Sequence, residues 1–233
     1  MRSPMLLAAE RQLIADFGRR MTADRLVVGT SGNLSIRAGD LLAVTPSGHA
    51  YDTLTPELVG VHRLDGTAVS APLAPTSELA IHQLIYAHTD ALAVVHTHST
   101  AATVVSTLAE ELPAIHYILA VLGGPVRVAP YATFGTPELA ANVLAALDGR
   151  SGVLLANHGA VTYGPSIEVA YDRALYLEWV AEVWLRANAL SPAFTPRILG
   201  EPEMAEVDAR LGGAYPTTGR SPDTASDGAA GGG

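Results

Sequence analysis

Ala93-Val94-Val95-His96-Thr97-His98-Ser99-Thr100 reads as a buried strand that delivers two imidazoles at its exit. Three small apolar residues lead in. Successive side chains on a strand alternate faces, so His96 and His98 point one way and Thr97 the other. Two imidazoles on one face at a strand end are a common way to hold a divalent transition metal. A pair of ordinary surface or partly buried histidines has the same pattern, so the signal needs a partner. His158 supplies one, because Gly152-Val153-Leu154-Leu155-Ala156-Asn157-His158-Gly159 is again a short apolar run leading to a histidine. Three histidines at strand ends leave coordination positions open, which suits a catalytic rather than a structural zinc.

The flanking segments alternate hairpins with helices. After the first His-x-His strand, residues 100–108 read as helix and 126–129 as strand. Thr136-Pro137-Glu138 opens the next helix with proline at its first position, and Asp148-Gly149 ends it. Strands over 153–156 and 160–163 turn at His158-Gly159, and a long helix follows over about 166–190. Upstream, Thr76-Ser77-Glu78 starts a helix that runs to about His88, with Thr76 or Ser77 as the cap and Glu78 in the first turn. Gly39-Asp40 turns a hairpin whose returning strand is Leu41-Leu42-Ala43-Val44, and 59–64 is a further strand. Residues 4–22 space Leu6, Leu7, Leu13, Ile14, Phe17 and Met21 as an amphipathic helix. A weaker helix covers 201–211, and the Gly/Ala/Ser/Asp-rich tail over 217–233 lacks an apolar face and is expected to be disordered. Hairpin strands mixed with helices of ten or more residues predict a single α/β domain whose mixed, mostly antiparallel sheet is covered by helices.

Composition narrows the partners. The chain has 233 residues, 48% of them hydrophobic, and a net charge of −9 without any Lys/Arg cluster, which makes nucleic acid and anionic membranes poor partners. Cysteine is absent, so any metal must be held by histidine and carboxylate. Met5-Leu6-Leu7-Ala8-Ala9 is too short for the core of a signal peptide, and no run approaches the roughly 20 apolar residues that span a bilayer. A cytoplasmic protein is expected. Neither Gly-x-Gly-x-x-Gly nor a Gly-Lys-Ser/Thr loop occurs, which removes the best support for a nucleotide site.

Three small-residue segments share one composition: Thr30-Ser31-Gly32-Asn33, Thr45-Pro46-Ser47-Gly48, and the helix start Thr76-Ser77. All offer hydroxyls and backbone N–H groups without bulk, and a helix start with free N–H groups is a phosphate site that needs no Lys or Arg. Plain turn chemistry gives the same residues. Glu78 follows the last of these segments. It reads as a general base, as a fourth metal ligand, or as a first-turn glutamate that stabilises its helix. His49, His62, His82, His88 and His116 have no comparable partners in sequence and read as surface or satisfied core residues, His82 being the least settled, one turn after Glu78.

Taken in order, these motifs, with Pro113-Ala114-Ile115-His116-Tyr117 and Ala129-Pro130-Tyr131-Ala132-Thr133-Phe134-Gly135-Thr136, resemble the class II aldolase/adducin family over about residues 5–190. The resemblance implies a three-layer fold, with the catalytic domain over 1–199 and a C-terminal segment, 200–216, near the active site. It implies one Zn²⁺ per subunit on His96, His98 and His158, with Glu78 as acid/base and ligand before substrate binds. Thr30, Asn33, Ser47, Gly48, Thr76 and Ser77 would bind a substrate phosphate, and Thr76 stands where serine is usual. Tyr117, lent by a neighbouring subunit of a cyclic homotetramer, would protonate the aldehyde oxygen, and Tyr215 is the only tail candidate for a further contribution. The activity implied is cleavage of a ketose 1-phosphate of the fuculose 1-phosphate type to dihydroxyacetone phosphate and an aldehyde. Pentulose-phosphate 4-epimerases of the family usually have Asp at the Glu78 position, although His-Thr-His-Ser is epimerase-like. A methylthioribulose-phosphate dehydratase and a non-catalytic, adducin-like assembly module are the remaining alternatives.

Overall fold

A computed structural model describes residues 4–190 and 192–211. The expected tail, Tyr215 and the end of the 200–216 segment lie outside the described residues. Nine strands form one sheet in the order β4-β3-β2-β1-β5-β9-β8-β7-β6. They are β1 (Asn33–Ala38), β2 (Leu41–Val44), β3 (Gly60–Arg63), β4 (Ala68–Ser70), β5 (Ala93–Thr97), β6 (Glu111–Leu112), β7 (Val126–Ala129), β8 (Gly152–Leu155) and β9 (Gly159–Gly164). Only β7 and β8 run parallel; every other neighbouring pair is antiparallel. The mixed, mostly antiparallel sheet is thus as expected. His96 lies on β5, the middle strand of the nine, and His98 follows one residue beyond its end.

Alternation along the strands divides the core between two faces. Val94, Val153, Leu155, Val161 and Tyr163 pack under helices α2 (Leu79–His88) and α4 (Pro137–Ala146). Ile36, Ala93 and Val95 face α1 (Ala8–Ala23) and the first half of α5 (Ile167–Asn188). Leu154 and Ala160 meet α3 (Thr100–Leu108), the rest of α5 and Met204 of α6 (Glu201–Leu211). The result is three layers, helix–sheet–helix. Each large side chain buried this way contributes about 1.5–3 kcal/mol before entropy is charged against it.

One expectation needs correction and another is narrowed. α2 begins one residue later than Thr76-Ser77-Glu78 suggests: Glu78 is itself the N-cap, no side chain caps the helix, and Thr76 Oγ1 instead accepts from the Glu78 N–H at 3.3 Å. The carboxylate turns away from the helix amides because, as described below, imidazoles claim it. The apolar run 112–124 reads as a segment buried at a subunit boundary near the metal or else in its own chain's core. Its own chain does most of the covering, since Leu112, Ala114 and residues 119–122 are buried in the cluster beneath α5 and α6.

Candidate metal centre

β5 pairs with β1 and β9 so that His96 stands opposite Asn33 on one side and Val161 on the other. Its Nδ1–H donates to the Ala160 carbonyl at 2.9 Å, which leaves the Nε2 lone pair of the neutral ring facing outward from the strand end. His98 Nε2 comes within 2.9 Å of that atom. His158 arrives from the tight turn between β8 and β9. The turn is possible because Asn157 takes a left-handed conformation (φ 56°) and because Gly159 has no side chain. A Cβ at Gly159 would lie 2.1 Å from the Thr97 carbonyl oxygen. The three imidazoles meet edge to face, with ring centroids 4.7–4.9 Å apart.

Glu78 completes the group. Its Oε2 lies 3.0 Å from His96 Nε2 and its Oε1 3.3 Å from His158 Nε2. One donor atom from each of Glu78, His96, His98 and His158 falls within 4.8 Å of the others. His96 is fully buried and Glu78 is 5% exposed. Two features fit a shared cation: Glu78 Oε1 is buried without a hydrogen-bond partner, and two ring nitrogens face one another. Three nitrogens and a carboxylate suit a borderline divalent ion.

The electrostatics agree. Burial would push the Glu78 carboxyl up, but His96 and His158, with a hydrogen bond from Asn33, hold it below the usual carboxylate range. Burial would lower His96, yet Glu78 and the Ala160 carbonyl raise it above its ordinary value. His98 is pulled down to about 3 by burial and then by its two histidine neighbours. His158 falls to about 4, by burial and then His96, against Glu78. The cluster therefore keeps one carboxylate and has use for positive charge, while two imidazoles stay neutral and able to ligate.

A cavity of about 320 Å³ opens on this group, lined by Glu78, His98 and His158 together with Thr30, Asn33, Ser47, Gly48, Thr76 and Ser77. All six residues expected to meet a phosphate share that cavity with three of the expected ligands. The loops they occupy are tied together by backbone: Pro46 bridges Pro75, Ser47 N–H donates to Ala74 O, and Thr76 N–H to Thr45 O. Tyr51 donates from behind to Gly32 O at 2.6 Å and fixes the first loop. Tyr117 is not among the lining residues. It sits at the start of a 3-10 segment, 49% exposed and stacked at 4.5 Å on His116, away from its own chain's cavity.

The model of the family "Class II Aldolase and Adducin N-terminal domain" matches residues 12–185, three quarters of the chain and every element from α1 to most of α5. The chain belongs to this family. A 5-deoxy-D-ribulose 1-phosphate aldolase of Bacillus thuringiensis is 38% identical over 212 residues, covering 90% of this chain and 98% of that protein. A 5-methylthioribulose-1-phosphate/5-deoxyribulose-1-phosphate aldolase of Rhodospirillum rubrum is 40% identical over 201 residues, 85% of this chain and 89% of its own length. Among solved structures, an L-fuculose 1-phosphate aldolase superposes with a TM-score of 0.86 at 34% identity, covering 91% of this chain and all of that one.

Sequence reading missed part of this class II aldolase-type site. Ser31, Tyr131, Phe134 and Asn157 also line the cavity. Tyr131 and Phe134 lie in a segment that carries the family resemblance, but nothing in their spacing says which face they show. His82, read as a surface or satisfied core residue and the least settled of that group, is a satisfied core histidine whose partners the sequence did not name. It is fully buried, its Nε2 is 2.5 Å from Asn33 Oδ1, and its Nδ1 is 2.6 Å from Ser35 Oγ. Its place four residues after Glu78, on the same face of α2, was the available signal.

Proposed function

We propose that the chain is a zinc-dependent aldolase that reversibly cleaves a ketose 1-phosphate to dihydroxyacetone phosphate and an aldehyde. The observation that carries this reading is the convergence of Glu78 with three imidazoles beside a cavity that is also lined by the hydroxyl, amide and glycine residues Thr30, Asn33, Ser47, Gly48, Thr76 and Ser77. On this reading His96, His98, His158 and Glu78 hold one Zn²⁺ per subunit. Zinc, when bound, polarises the ketone oxygen and offsets the negative charge that proton loss develops there.

The chain's own residues account for the remaining steps. Thr30, Asn33, Ser47, Gly48, Thr76 and Ser77 anchor the phosphate and so fix the reacting carbons. In the synthetic direction Glu78 takes a proton from the hydroxymethyl carbon of dihydroxyacetone phosphate. The electron pair left on that carbon forms the new bond to the aldehyde carbon, and Tyr117 gives its phenol proton to the aldehyde oxygen. Cleavage is the reverse. Tyr117 does not line its own chain's cavity, and we assign the protein a homotetramer in which a neighbouring subunit brings it to a shared site. Mixing inactive Tyr117→Phe chains with inactive Glu78→Gln chains should then restore activity in hybrids. Hybrids that form and stay silent would remove Tyr117 from the scheme.

The substrates named for the relatives, 5-deoxyribulose 1-phosphate and L-fuculose 1-phosphate, are both ketose 1-phosphates. Deoxygenated ends suit the exposed Tyr131 and Phe134 rings at the cavity mouth. No helix among the described residues is long and apolar enough to cross a membrane, in keeping with work on soluble metabolites in the cytoplasm. A non-catalytic assembly module would have no use for the four-donor cluster. The test is a panel of ketose 1-phosphates given to the zinc-loaded protein, with dihydroxyacetone phosphate as the readout. Release from none of them would overturn the assignment.

A further inference from the structure

Asn33 makes two bonds that together leave no freedom in how its amide is turned. Its Nδ2 donates to Glu78 Oε2 at 3.0 Å, and its Oδ1 lies 2.5 Å from His82 Nε2. An ionised carboxylate only accepts, so the NH₂ group must face Glu78 and the carbonyl must face His82. His82 Nε2 must therefore carry a proton. Behind it, Nδ1 lies 2.6 Å from Ser35 Oγ, which lies 2.7 Å from the Tyr86 hydroxyl. With a neutral ring these polarities run one way: Tyr86 O–H donates to Ser35, Ser35 O–H donates to His82 Nδ1, and His82 Nε2–H donates to Asn33. Ser35, His82 and Tyr86 are all buried, so water does not compete for these atoms.

The second Nδ2 proton of Asn33 has no partner within this chain of bonds, and Asn33 lines the cavity beside Thr30 and Ser47. One amide thus serves two anions at once, the carboxylate of Glu78 and the substrate. An Asn amide rotated by half a turn would present its oxygen to both and repel them. Little in the shape of an amide opposes that rotation, because its O and N are nearly the same size; the accepting carboxylate of Glu78 on one side and the hydrogen-bond donor of His82 on the other select between them.

We propose that His82 is a positioning residue for the aldolase reaction: held as the Nε2–H tautomer by Ser35 and Tyr86, it locks the Asn33 amide so that its N–H groups face Glu78 and the substrate. The inference rests on the aldolase reading for its kinetic consequence, but not for the tautomer itself. His82 touches neither the reacting carbons nor the proposed metal. Its effect passes through Asn33, and the loss expected on removing it is that of an outer-shell partner, roughly 10–100-fold.

The kinetic probe is exchange of the hydroxymethyl proton of dihydroxyacetone phosphate with D₂O, catalysed by the zinc-loaded protein. His82→Leu should lower the exchange rate by about 10–100-fold, while His82→Gln, which keeps an N–H donor on a side chain of similar reach, should recover most of it. In an Asn33→Ala background, His82→Leu should cost less than about a further twofold, because the two act as one unit. Independent, multiplicative losses would overturn the proposal, as would equal losses in His82→Leu and His82→Gln variants that melt like the wild type. Long-range ¹H–¹⁵N spectra of ¹⁵N-histidine-labelled, zinc-loaded wild-type protein should show His82 neutral and protonated at Nε2. The Nδ1–H form would overturn the proposal whether or not the protein is an aldolase. If the wild type exchanges no proton, the aldolase reading falls, and the tautomer measurement decides the positioning role alone.

Discussion

The two sets of residues around the cavity, the imidazole set with Glu78 and the hydroxyl set, are built on opposite plans. In the imidazole set, side chains project from strand termini and one tight turn, and neighbouring atoms fix their orientations: Ala160 O for His96, the bare Cα of Gly159 for the turn that carries His158, Asn33 for Glu78. In the hydroxyl set, Thr30, Ser47 and Ser77 are exposed on loops; backbone bonds tie the Ser47 loop to the one before Ser77, and the Tyr51 hydroxyl holds the Thr30 loop. The difference follows the chemistry each set is proposed to do. Ligating a cation and moving a proton are steep functions of distance and angle, whereas a phosphate presents several oxygens that short hydroxyls and amides can meet in more than one geometry. One set is held rigidly for chemistry, the other adapts for binding.

If that contrast is right, damage to the imidazole set should appear in rate or metal content and damage to the hydroxyl set in substrate affinity. The largest effect is expected from Glu78→Gln. It removes the proposed base and should lower proton exchange from dihydroxyacetone phosphate by on the order of 10² to 10⁴, with fold and zinc kept. Exchange at the wild-type rate would take Glu78 out of the proton-transfer step.

The glycines give a matched pair. Gly159→Ala drives a methyl into the Thr97 carbonyl, a clash that backbone must relieve at a cost of about 1–3 kcal/mol, and zinc per chain should fall with the melting temperature. Gly48→Ala meets nothing within 4 Å but keeps a left-handed φ of 65°, so it should cost about 1–2 kcal/mol of strain and leave the zinc content whole. Equal zinc loss in both would erase the contrast.

Smaller still, Ser47→Ala should raise KM roughly tenfold and leave kcat within a factor of two, the loss of one hydrogen bond to a charged group. A matching fall in kcat would mean that the hydroxyl set is as exacting as the other. The last effect concerns zinc affinity. His96 is raised above its ordinary value, so in protein stripped of metal it carries a proton below that point, and zinc must displace it. Affinity should therefore rise by up to tenfold per pH unit as His96 deprotonates and level off above. His98 and His158, at about 3 and 4, should steepen the slope only in acid. Competition with a chelator between about pH 5 and 8 measures the slope. A slope of three protons across that range would mean that all three rings titrate alike.

How far this site can be read from the sequence depends on how far apart its parts lie along the chain. The imidazole set is legible because strand periodicity places His96 and His98 together and an apolar run precedes His158. α3 and α6 likewise fall where periodicity and composition suggest. The Asn33–His82 contact is not legible, because it spans 49 residues and exists only through the register that sets Asn33 opposite His96. Tyr117 is the converse case. Family motifs single it out, yet its own chain leaves it exposed and outside the lining of the cavity. The apolarity of residues 112–124 says that they are buried but leaves open whether a neighbouring subunit or their own chain covers them.

β5 has a consequence for how the protein comes into being. Four strands lie to one side of it, all drawn from residues 33–70, and four to the other, from residues 111–164. The first group is a chain of local hairpins that can assemble while synthesis is under way. The carbonyl that sets the His96 tautomer belongs to Ala160, 64 residues downstream, and His158 is scarcely nearer. Contacts of such separation close late, because loop entropy must be met before they give anything back. A nascent chain halted before β9 would display His96 and His98 without the groups that aim them. The capacity to select a metal is therefore expected to appear only near the end of folding, when the second half of the sheet closes onto β5, and a half-made chain has no finished centre for the wrong ion to occupy.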